Sequence, residues 1–326
     1  MKCVLSGIQP SGQLHLGNYV GAIRQFVQMQ HDHEMYIFVA SYHALTSGRD
    51  ADALRGNTRQ VVIDYLAFGL EPSQTHLYLQ QDVPEVTELA WILSCVCPKN
   101  LMDKATSYKD KVAQGLPASV GLYTYPILQA SDILSVDPDL VPVGEDQRQH
   151  IEITRDLAQK FNHCYCQQGD DVFRLPDAMI REEAGVLPGI DGRKMSKSYD
   201  NAIDPFMDEK PLRKRIMKIV TDTTPVEAPK DPQRCTIFQI FRALAGPDDT
   251  RTTDLANQYR AGGMGYSNAK QTLFELIMDL FGEARRRRTE LMNDPSYIEK
   301  VLRDGSDAAR AKVSQVTRRA RDAVGL

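Results

Sequence analysis

The sequence predicts an α/β protein in which a parallel sheet with helices on both faces is followed by a mostly helical C-terminal domain. Two observations support this fold class. In the first half of the chain, short apolar runs alternate with stretches of helical spacing, and this alternation is typical of parallel sheets covered by helices. From about Pro205 onward, the segments have helical spacing.

The elements of the first half follow in a regular order. Strands are predicted over residues 4–6, 36–40, 76–80 and 140–143, and helices over about 18–30 and 50–68, the second ending at Gly69. Ligands of such sheets bind beyond the carboxyl ends of the strands. The informative loops are therefore those after Leu5, Ala40 and Val143.

The second half has a different character. Helical segments are predicted around residues 212–220, 237–244, 269–281 and 308–323, with a proline-marked break between 225 and 232. A chain of 326 residues is long enough for one large domain and one smaller one. We expect a first domain over residues 1–200, a helical domain over 201–295, and a C-terminal helix over 296–326 that packs back on the first domain.

Composition and charge exclude several classes of protein. With 42% hydrophobic and 25% charged residues, the chain resembles globular proteins rather than disordered or disulfide-stapled ones. Its N-terminus turns polar too early for a signal peptide, and apolar stretches such as 35–40 are too short to cross a bilayer. We expect a cytoplasmic protein without membrane contact. The net charge of −4 neither indicates nor excludes a nucleic-acid partner.

The six cysteines include two Cys-x-Cys pairs, at 95 and 97 and at 164 and 166. Four thiolates can enclose zinc. However, one residue separates the members of each pair, where a zinc knuckle usually has two. The first pair also lies in an apolar run that begins at Trp91, where small buried thiols are common. We therefore predict that the side chains form no metal site.

A glycine-rich turn over residues 6–18 follows the first strand and opens the first helix. At such a turn, backbone N–H groups and the helix dipole attract anions. Gly17 would let a flat base lie against the backbone, and the side chains of Gln9, His15 and Asn18 can donate hydrogen bonds to phosphate. The turn has neither a G-x-G-x-x-G pattern nor a Walker lysine. By itself it is therefore more typical of a tight turn capped by asparagine.

A second segment, over residues 188–198, combines two glycines with Lys194, Ser196, Lys197 and Ser198. The glycines supply hinges, and the lysines and hydroxyls can bind a triphosphate. A loop that closes only on the developing pyrophosphate stabilises the transition state over the ground state. The alternative is a solvated basic loop. The complete Lys-Met-Ser-Lys-Ser string, about 180 residues after the first motif, argues against it.

Together the two segments resemble the signatures of class I aminoacyl-tRNA synthetases. Residues 15–18 are similar to the HIGH signature with asparagine in the last place, and residues 194–198 form an intact KMSKS signature. Nearly end to end, the chain resembles the tryptophanyl-tRNA synthetase family. The similarity is carried by residues 9–12, 42–46, 125–126, 130–134 and 141–147. Leu5, Gln129, the short segment 187–193 and residues 258–263 resemble the divergent second form of the bacterial enzymes.

The resemblance implies a Rossmann-like catalytic domain over residues 1–200 and an anticodon-binding helical domain over 201–295. It implies a reaction in two steps. The carboxylate of L-tryptophan attacks the α-phosphorus of ATP, and the tryptophanyl group then passes to the 2′-hydroxyl of the terminal adenosine of tRNA(Trp). Mg²⁺ is expected to bridge the phosphates of ATP. The resemblance also implies a homodimer.

The resemblance further implies roles for individual residues. The catalytic residues are expected to be His15, Asn18, Lys194 and Lys197. Contacts with ATP are expected at Gln9, Pro10, Ser11, Gly17, Asn18, Gly144, Glu145, Asp146, Val186, Lys194, Met195, Ser196, Lys197 and Ser198. Contacts with tryptophan are expected at Asp132, Tyr125, Gln147 and His43.

The choice of Asp132 also has a physical reason. An indole N–H only donates, so its buried partner must accept, as a carboxylate does. A site built around that bond rejects analogues that cannot make it. The alternative is a salt bridge within a helix, and the small and apolar neighbours over 130–134 disfavour it.

Three other functions remain open. A tyrosine-specific relative would need a donor–acceptor pair for a phenolic hydroxyl. A catalytically silent paralogue and a simple nucleotidyltransferase are both disfavoured by the intact KMSKS signature, and the second also by the helical C-terminal half. For tRNA, the arginine clusters at 285–288 and 318–321 are candidate phosphate contacts, and solvated helix faces explain them equally well.

Overall fold

The computed structural model describes residues 1–10, 12–113, 115–166, 169–180 and 187–326, apart from the side chains of residues 106 and 107. These residues contain five strands, β1 (Lys2–Ile8), β2 (His33–Val39), β3 (Thr75–Leu79), β4 (Leu140–Val143) and β5 (Asp177–Ile180). They form one sheet in the order β3-β2-β1-β4-β5, and every neighbouring pair is parallel. The predicted parallel sheet is confirmed.

The central strand β1 forms because both of its faces are apolar. Val4 and Leu5 point to opposite faces and are both buried, as expected for a strand that helices cover on both sides. The sequence analysis missed the edge strand β5, because its first two residues are exposed and leave no continuous apolar run.

Helices fill the connections and the second half of the chain. In the first half they are α1 (Leu16–Asn18), α2 (Arg24–Met29), α3 (Ser41–Ala44), α4 (Ala51–Ala67), α5 (Glu85–Val96), α6 (Lys99–Asp103), α7 (Thr106–Ala113), α8 (Val120–Leu134) and α9 (Arg148–Tyr165). They continue with α10 (Glu209–Met217), α11 (Thr236–Ala245), α12 (Thr250–Ala261), α13 (Tyr266–Met292) and α14 (Pro295–Val324). The single helix predicted over about 18–30 is divided by a π-helical segment, Tyr19–Ile23. Within the described ranges, no helix is both long and apolar enough to span a membrane.

One hydrophobic cluster joins the sheet to the C-terminal helices. It contains Ile37 of β2, Val61 of α4, Ile237 of α11 and Phe281 of α13. The predicted boundary near residue 200 stays a prediction, because the apolar side chains on its two sides belong to the same cluster. A second cluster lies between α5, α8 and α9 and includes Val316 of α14.

The last helix, α14, crosses the outer strand β3 at a glycine. A Cβ on Gly305 would lie well inside van der Waals distance of the Leu77 carbonyl oxygen. Farther along the helix, Arg310 Nε donates to Glu85 Oε1 of α5 at 2.6 Å. The close crossing therefore requires a residue without a side chain at position 305.

We expect Gly305→Ala to lower the free energy of unfolding by about 1–3 kcal/mol, because the added methyl group must push α14 away from β3. The matched control is Gly282→Ala on α13, where an added Cβ meets nothing within 4 Å. That change should stabilise the protein by about 0.4–1 kcal/mol. Urea unfolding of both variants measures the effects, and equal midpoints would contradict the role of Gly305.

Candidate active site

A cavity of about 570 Å³ opens at the carboxyl ends of β1 and β4. Along the chain the sheet grows outward from β1 through β2 to β3, and β4 then lies on the other side of β1. Parallel sheets bind ligands at such a reversal of strand order. The expected site residues that line the cavity are Gln9, His43, Tyr125, Asp132, Gly144, Asp146 and Gln147.

The HIGH-like segment, residues 15–18, forms the start of α1, between the cavity-lining residues Gln9 and Gly21 of the sequence. Asn18 Oδ1 accepts a hydrogen bond from the His15 backbone N–H at 3.1 Å. The capping role that the sequence left open for Asn18 is therefore present. Pro10 is buried, and Ser11 lies outside the described residues.

The His15 ring is buried and packs over Gly17. A Cβ on Gly17 would lie 2.9 Å from His15 Nδ1, so any larger residue would displace the ring. Burial and, to a smaller extent, the nearby positive charge of Lys197 lower the pKa of His15 from 6.5 to about 4. At neutral pH the imidazole is therefore uncharged and can donate one hydrogen bond.

We expect His15 in the folded protein to titrate near pH 4, well below its ordinary value of 6.5. Between these values the unfolded chain binds a proton that the folded chain does not. The contribution of His15 to stability is thus complete above pH 6.5 and declines as the pH falls toward 4. A ¹⁵N-histidine NMR titration measures this pKa, and His15→Gln assigns the resonance. A midpoint near 6.5 would contradict the buried, neutral state.

The KMSKS segment, residues 194–198, is fixed by backbone and side-chain bonds. Met195 N donates to Leu187 O at 2.8 Å. Asn201 Oδ1 accepts from Ser196 N at 2.7 Å, and Asn201 Nδ2 donates to Lys194 O at 3.0 Å. Asn201, which follows the signature by three residues and holds its backbone in place, was not predicted from the sequence.

The two signature segments lie in contact although about 180 residues separate them. Met195 is buried, and its Cβ lies 3.6 Å from a Cβ built on Gly17. Lys197 Nζ lies 3.6 Å from a Cβ built on Gly12. Although the Lys197 side chain as a whole is exposed, partial burial of its end lowers the pKa of the ammonium, and the carboxylates of Asp204 and Asp64 oppose that shift. Lys194 is exposed.

Asp132 lies on α8 at the inner wall of the cavity and is only 3% exposed. His43 Nε2 lies 2.7 Å from its Oδ2. Gln80 Nε2 lies 2.8 Å from both carboxylate oxygens. The Gln80 amide is oriented in turn, because its Oε1 accepts from the Tyr42 backbone N–H at 2.9 Å.

Tyr125 lies next to this carboxylate network. Its hydroxyl forms a hydrogen bond of 2.9 Å with His150 Nε2, and its ring meets the His43 ring edge-on at 6.2 Å. The Lys111 ammonium lies 4.2 Å from the centre of the Tyr125 ring. Burial lowers the pKa of His150 to about 4, and the charge of Lys111 acts in the same direction. The wall therefore presents a neutral imidazole and a cation.

The segment after β4 forms the opposite rim. A Cβ on Gly144 would lie 2.7 Å from Asp146 Oδ1, so a larger residue would require the exposed Asp146 side chain to shift. Gln147 bridges the rim to α8, because its Nε2 donates to Asp146 Oδ2 at 3.0 Å and its Oε1 accepts from Gln129 at 3.3 Å. Glu145 faces solvent and is bound to Arg148 through both carboxylate oxygens.

Three cavity-side residues were missed from the sequence, namely Gln80, Lys111 and His150. Gln80 directly follows β3, so it could have been identified by the rule that ligands bind beyond the carboxyl ends of parallel strands. Lys111 and His150 lie on helices and carry no motif. Val186 lies outside the described residues, and the described part of the chain contains no group of three or more metal-ligating side chains.

The arginine clusters are partly engaged within the protein. Arg285 donates to the carbonyls of Pro205 and Met207, and Arg288 is bound to Asp64. In the second cluster, Arg319 pairs with Asp137 and Arg321 pairs with Glu88. These contacts favour structural roles for four of the candidate phosphate-binding arginines.

A parallel sheet with a HIGH-like segment after its central strand and a KMSKS segment packed against it defines the catalytic fold of a class I aminoacyl-tRNA synthetase. The family model described as "tRNA synthetases class I (W and Y)" matches residues 2–282, and this chain belongs to that family.

Several relatives match the chain over its full length. Tryptophan–tRNA ligase of Fusobacterium nucleatum is 47% identical over 326 residues, which cover 100% of this chain and 98% of that protein. The same-named protein of Rhodopirellula baltica is 46% identical over 323 residues and 99% of both chains. Tryptophanyl-tRNA synthetase from Campylobacter jejuni, complexed with ADP and tryptophan, is 45% identical with a TM-score of 0.91 over 99% of both chains. A tyrosyl-tRNA synthetase from Archaeoglobus fulgidus, at 19% identity and a TM-score of 0.66, shares the fold alone.

Proposed function

We infer that this chain is a tryptophan–tRNA ligase. It activates L-tryptophan with ATP, releases pyrophosphate, and transfers the tryptophanyl group to the 2′-hydroxyl of the terminal adenosine of tRNA(Trp). The observation that carries this conclusion is the position of Asp132. A buried carboxylate faces the cavity at the carboxyl ends of β1 and β4, and the full-length relatives are named for the same reaction.

The carboxylate suits tryptophan because each oxygen can accept more than one hydrogen bond. Gln80 and His43 use part of this capacity, and an indole N–H can use the rest. In this proposal Tyr125 and Gln147, which line the same cavity, contact the amino-acid ammonium. The cavity volume falls within the range of about 300–1,000 Å³ that is usual for small-molecule sites.

The second half of the site binds ATP in this proposal. Backbone groups at Gly17 and Gly144 accommodate the nucleoside, and Lys194 and Lys197 neutralise charge on the phosphates. Neutral His15 donates a hydrogen bond. Residues 9–11, Asn18, Glu145, Asp146, Val186 and the remaining residues of the KMSKS segment complete the proposed ATP contacts. Mg²⁺, held mainly through the phosphates, would supply further charge neutralisation.

The decisive test is ATP–pyrophosphate exchange, measured with tryptophan, with tyrosine and with neither amino acid, followed by charging of tRNA with a CCA anticodon. We expect exchange with tryptophan alone, abolished by chelation of Mg²⁺. A preference for tyrosine would identify the tyrosine-specific alternative. Tight binding of tryptophan without charging of any tRNA would identify a silent paralogue.

We also propose a cytoplasmic homodimer whose residues 201–295 bind the anticodon while residues 1–200 carry the chemistry. Trp91 on α5 is 72% exposed, and tryptophan is enriched in protein interfaces. A second copy of the chain is therefore the proposed occupant of this face. Sedimentation velocity decides the point, since a dimer has twice the mass of the 36.6 kDa chain.

A further inference from the structure

Asp64 of α4 is a buried carboxylate that three parts of the chain share. It is only 1% exposed. Its Oδ1 accepts hydrogen bonds from Arg288 Nε of α13 at 2.8 Å and from Gln60 Nε2 at 2.7 Å. It also accepts a hydrogen bond from the backbone N–H of Leu14, the residue before His15. This carboxylate thus joins the HIGH-like segment to the helical second half of the chain.

The charge of Asp64 also acts on the KMSKS segment. The ammonium of Lys197 lies next to Gly12, and the negative charges of Asp64 and Asp204 both attract it. Arg288 and Arg285 in turn attract Asp204. Buried Asp64 and half-buried Asp204 therefore both attract Lys197, and they also attract the cations Arg288 and Arg285 of α13.

The balance among these charges depends on Arg288. A buried carboxylate is costly unless it is paired, and removal of one partner leaves an uncompensated charge. Burial raises the pKa of Asp64, and the bond from Arg288 is the largest influence that opposes this rise. Without Arg288, Lys197 is a cation that the unpaired Asp64 would attract more strongly. It would then be held at the carboxylates instead of at the phosphates.

We propose that Arg288 is a positioning residue for amino-acid activation: by neutralising Asp64, it allows the Lys197 ammonium to leave Asp64 and Asp204 for the phosphates of ATP. This inference rests on the proposed function, because it concerns the same activation step. Since Arg288 lies on α13, the pair also gives the helical half of the chain a direct influence on the KMSKS segment.

The test compares Arg288→Gln with the double variant Arg288→Gln/Asp64→Asn in tryptophan-dependent ATP–pyrophosphate exchange. We expect the single change to lower kcat by about tenfold and to leave KM for tryptophan within about twofold, which is a typical coupling between contacting charged residues. Asparagine can still accept from Leu14 and Gln60 but carries no charge. The double variant should therefore recover to within about threefold of the original kcat.

The double variant keeps the test decisive if Arg288→Gln fails to fold, because it contains no unpaired Asp64 charge. A purely structural role for Arg288 predicts a normal kcat per folded molecule in Arg288→Gln, because removal of the unpaired charge in the double variant would then change stability alone. A folded double variant that is as slow as the single variant, or a single variant with normal kcat, would overturn the proposal.

The matched control is Arg310→Gln, which breaks the ion pair with Glu85 between α14 and α5, away from the cavity lining. Its kcat should equal that of the unaltered protein, and a similar tenfold loss would mean that ion pairs act only through general stability. If the unaltered protein shows no exchange with tryptophan, the proposed function fails. If it does, and Arg288→Gln has no effect, only this inference fails.

Discussion

Replacement of Lys197 with alanine is expected to slow formation of tryptophanyl-adenylate by about 10²–10³-fold, the usual effect of removing one preorganised donor from developing charge. KM for tryptophan should change by less than about twofold, because the change leaves intact the contacts that bind the amino acid equally in the ground state and the transition state. Single-turnover measurement of adenylate formation separates the chemical step from product release.

The expected effect is large because Lys197 is placed to act late in the reaction. Its ammonium lies next to Gly12 and is attracted by the carboxylates of Asp64 and Asp204, and we expect it to leave this position for the phosphates. A cation that reaches the phosphates as pyrophosphate develops stabilises the transition state more than the bound substrates. Such an interaction appears in kcat rather than in KM.

The control for Lys197→Ala is Lys300→Ala, which removes an exposed ammonium paired with Asp304 on α14. Surface ion pairs of this kind contribute about 0–1 kcal/mol to stability, so its activation rate should be normal. A normal activation rate in Lys197→Ala would contradict the loop mechanism. Equal increases in KM for ATP and tryptophan would instead indicate a general disturbance of the site.

The sheet was predictable from the sequence because its strands are continuous apolar runs. The run at residues 36–40 corresponds to β2, and the run at 140–143 is β4 with the same bounds. The edge strand β5 escaped prediction because half of its residues face solvent. The π-helical turn, Tyr19–Ile23, escaped because helical spacing is nearly the same in both kinds of helix.

Residues of the site were predictable from the sequence only where they belong to a local motif. Each of the two signatures is recognisable from consecutive residues, and the structure brings the two segments into contact. Gln80 and Asp64 have no motif, because their importance comes from partners 52 and 224 residues away. Sequence spacing contains no information about such pairings, which the packing of α8 and α13 against the sheet domain creates.

The change Asp132→Asn is expected to raise KM for tryptophan by about 10–100-fold, because it leaves a buried donor without an acceptor at a cost of about 1–3 kcal/mol. Gln80 Nε2 contacts both oxygens of Asp132, so an asparagine amide nitrogen would face a donor in either orientation. Rotation of the Gln80 amide would break the hydrogen bond that its Oε1 accepts from the Tyr42 backbone N–H. KM for ATP should be nearly unchanged.

The decisive measurement for Asp132 is selectivity rather than rate. Exchange with tryptophan is compared with exchange with an analogue whose indole N–H is replaced by sulfur, which cannot donate to the carboxylate. The preference for tryptophan should fall by about tenfold or more in Asp132→Asn, since a bond worth about 1.4 kcal/mol has been weakened. The exposed Asp156→Asn on α9 serves as the matched control. Unchanged discrimination in Asp132→Asn would mean that another group accepts the indole N–H, and the buried carboxylate would then serve only to orient His43 and Gln80.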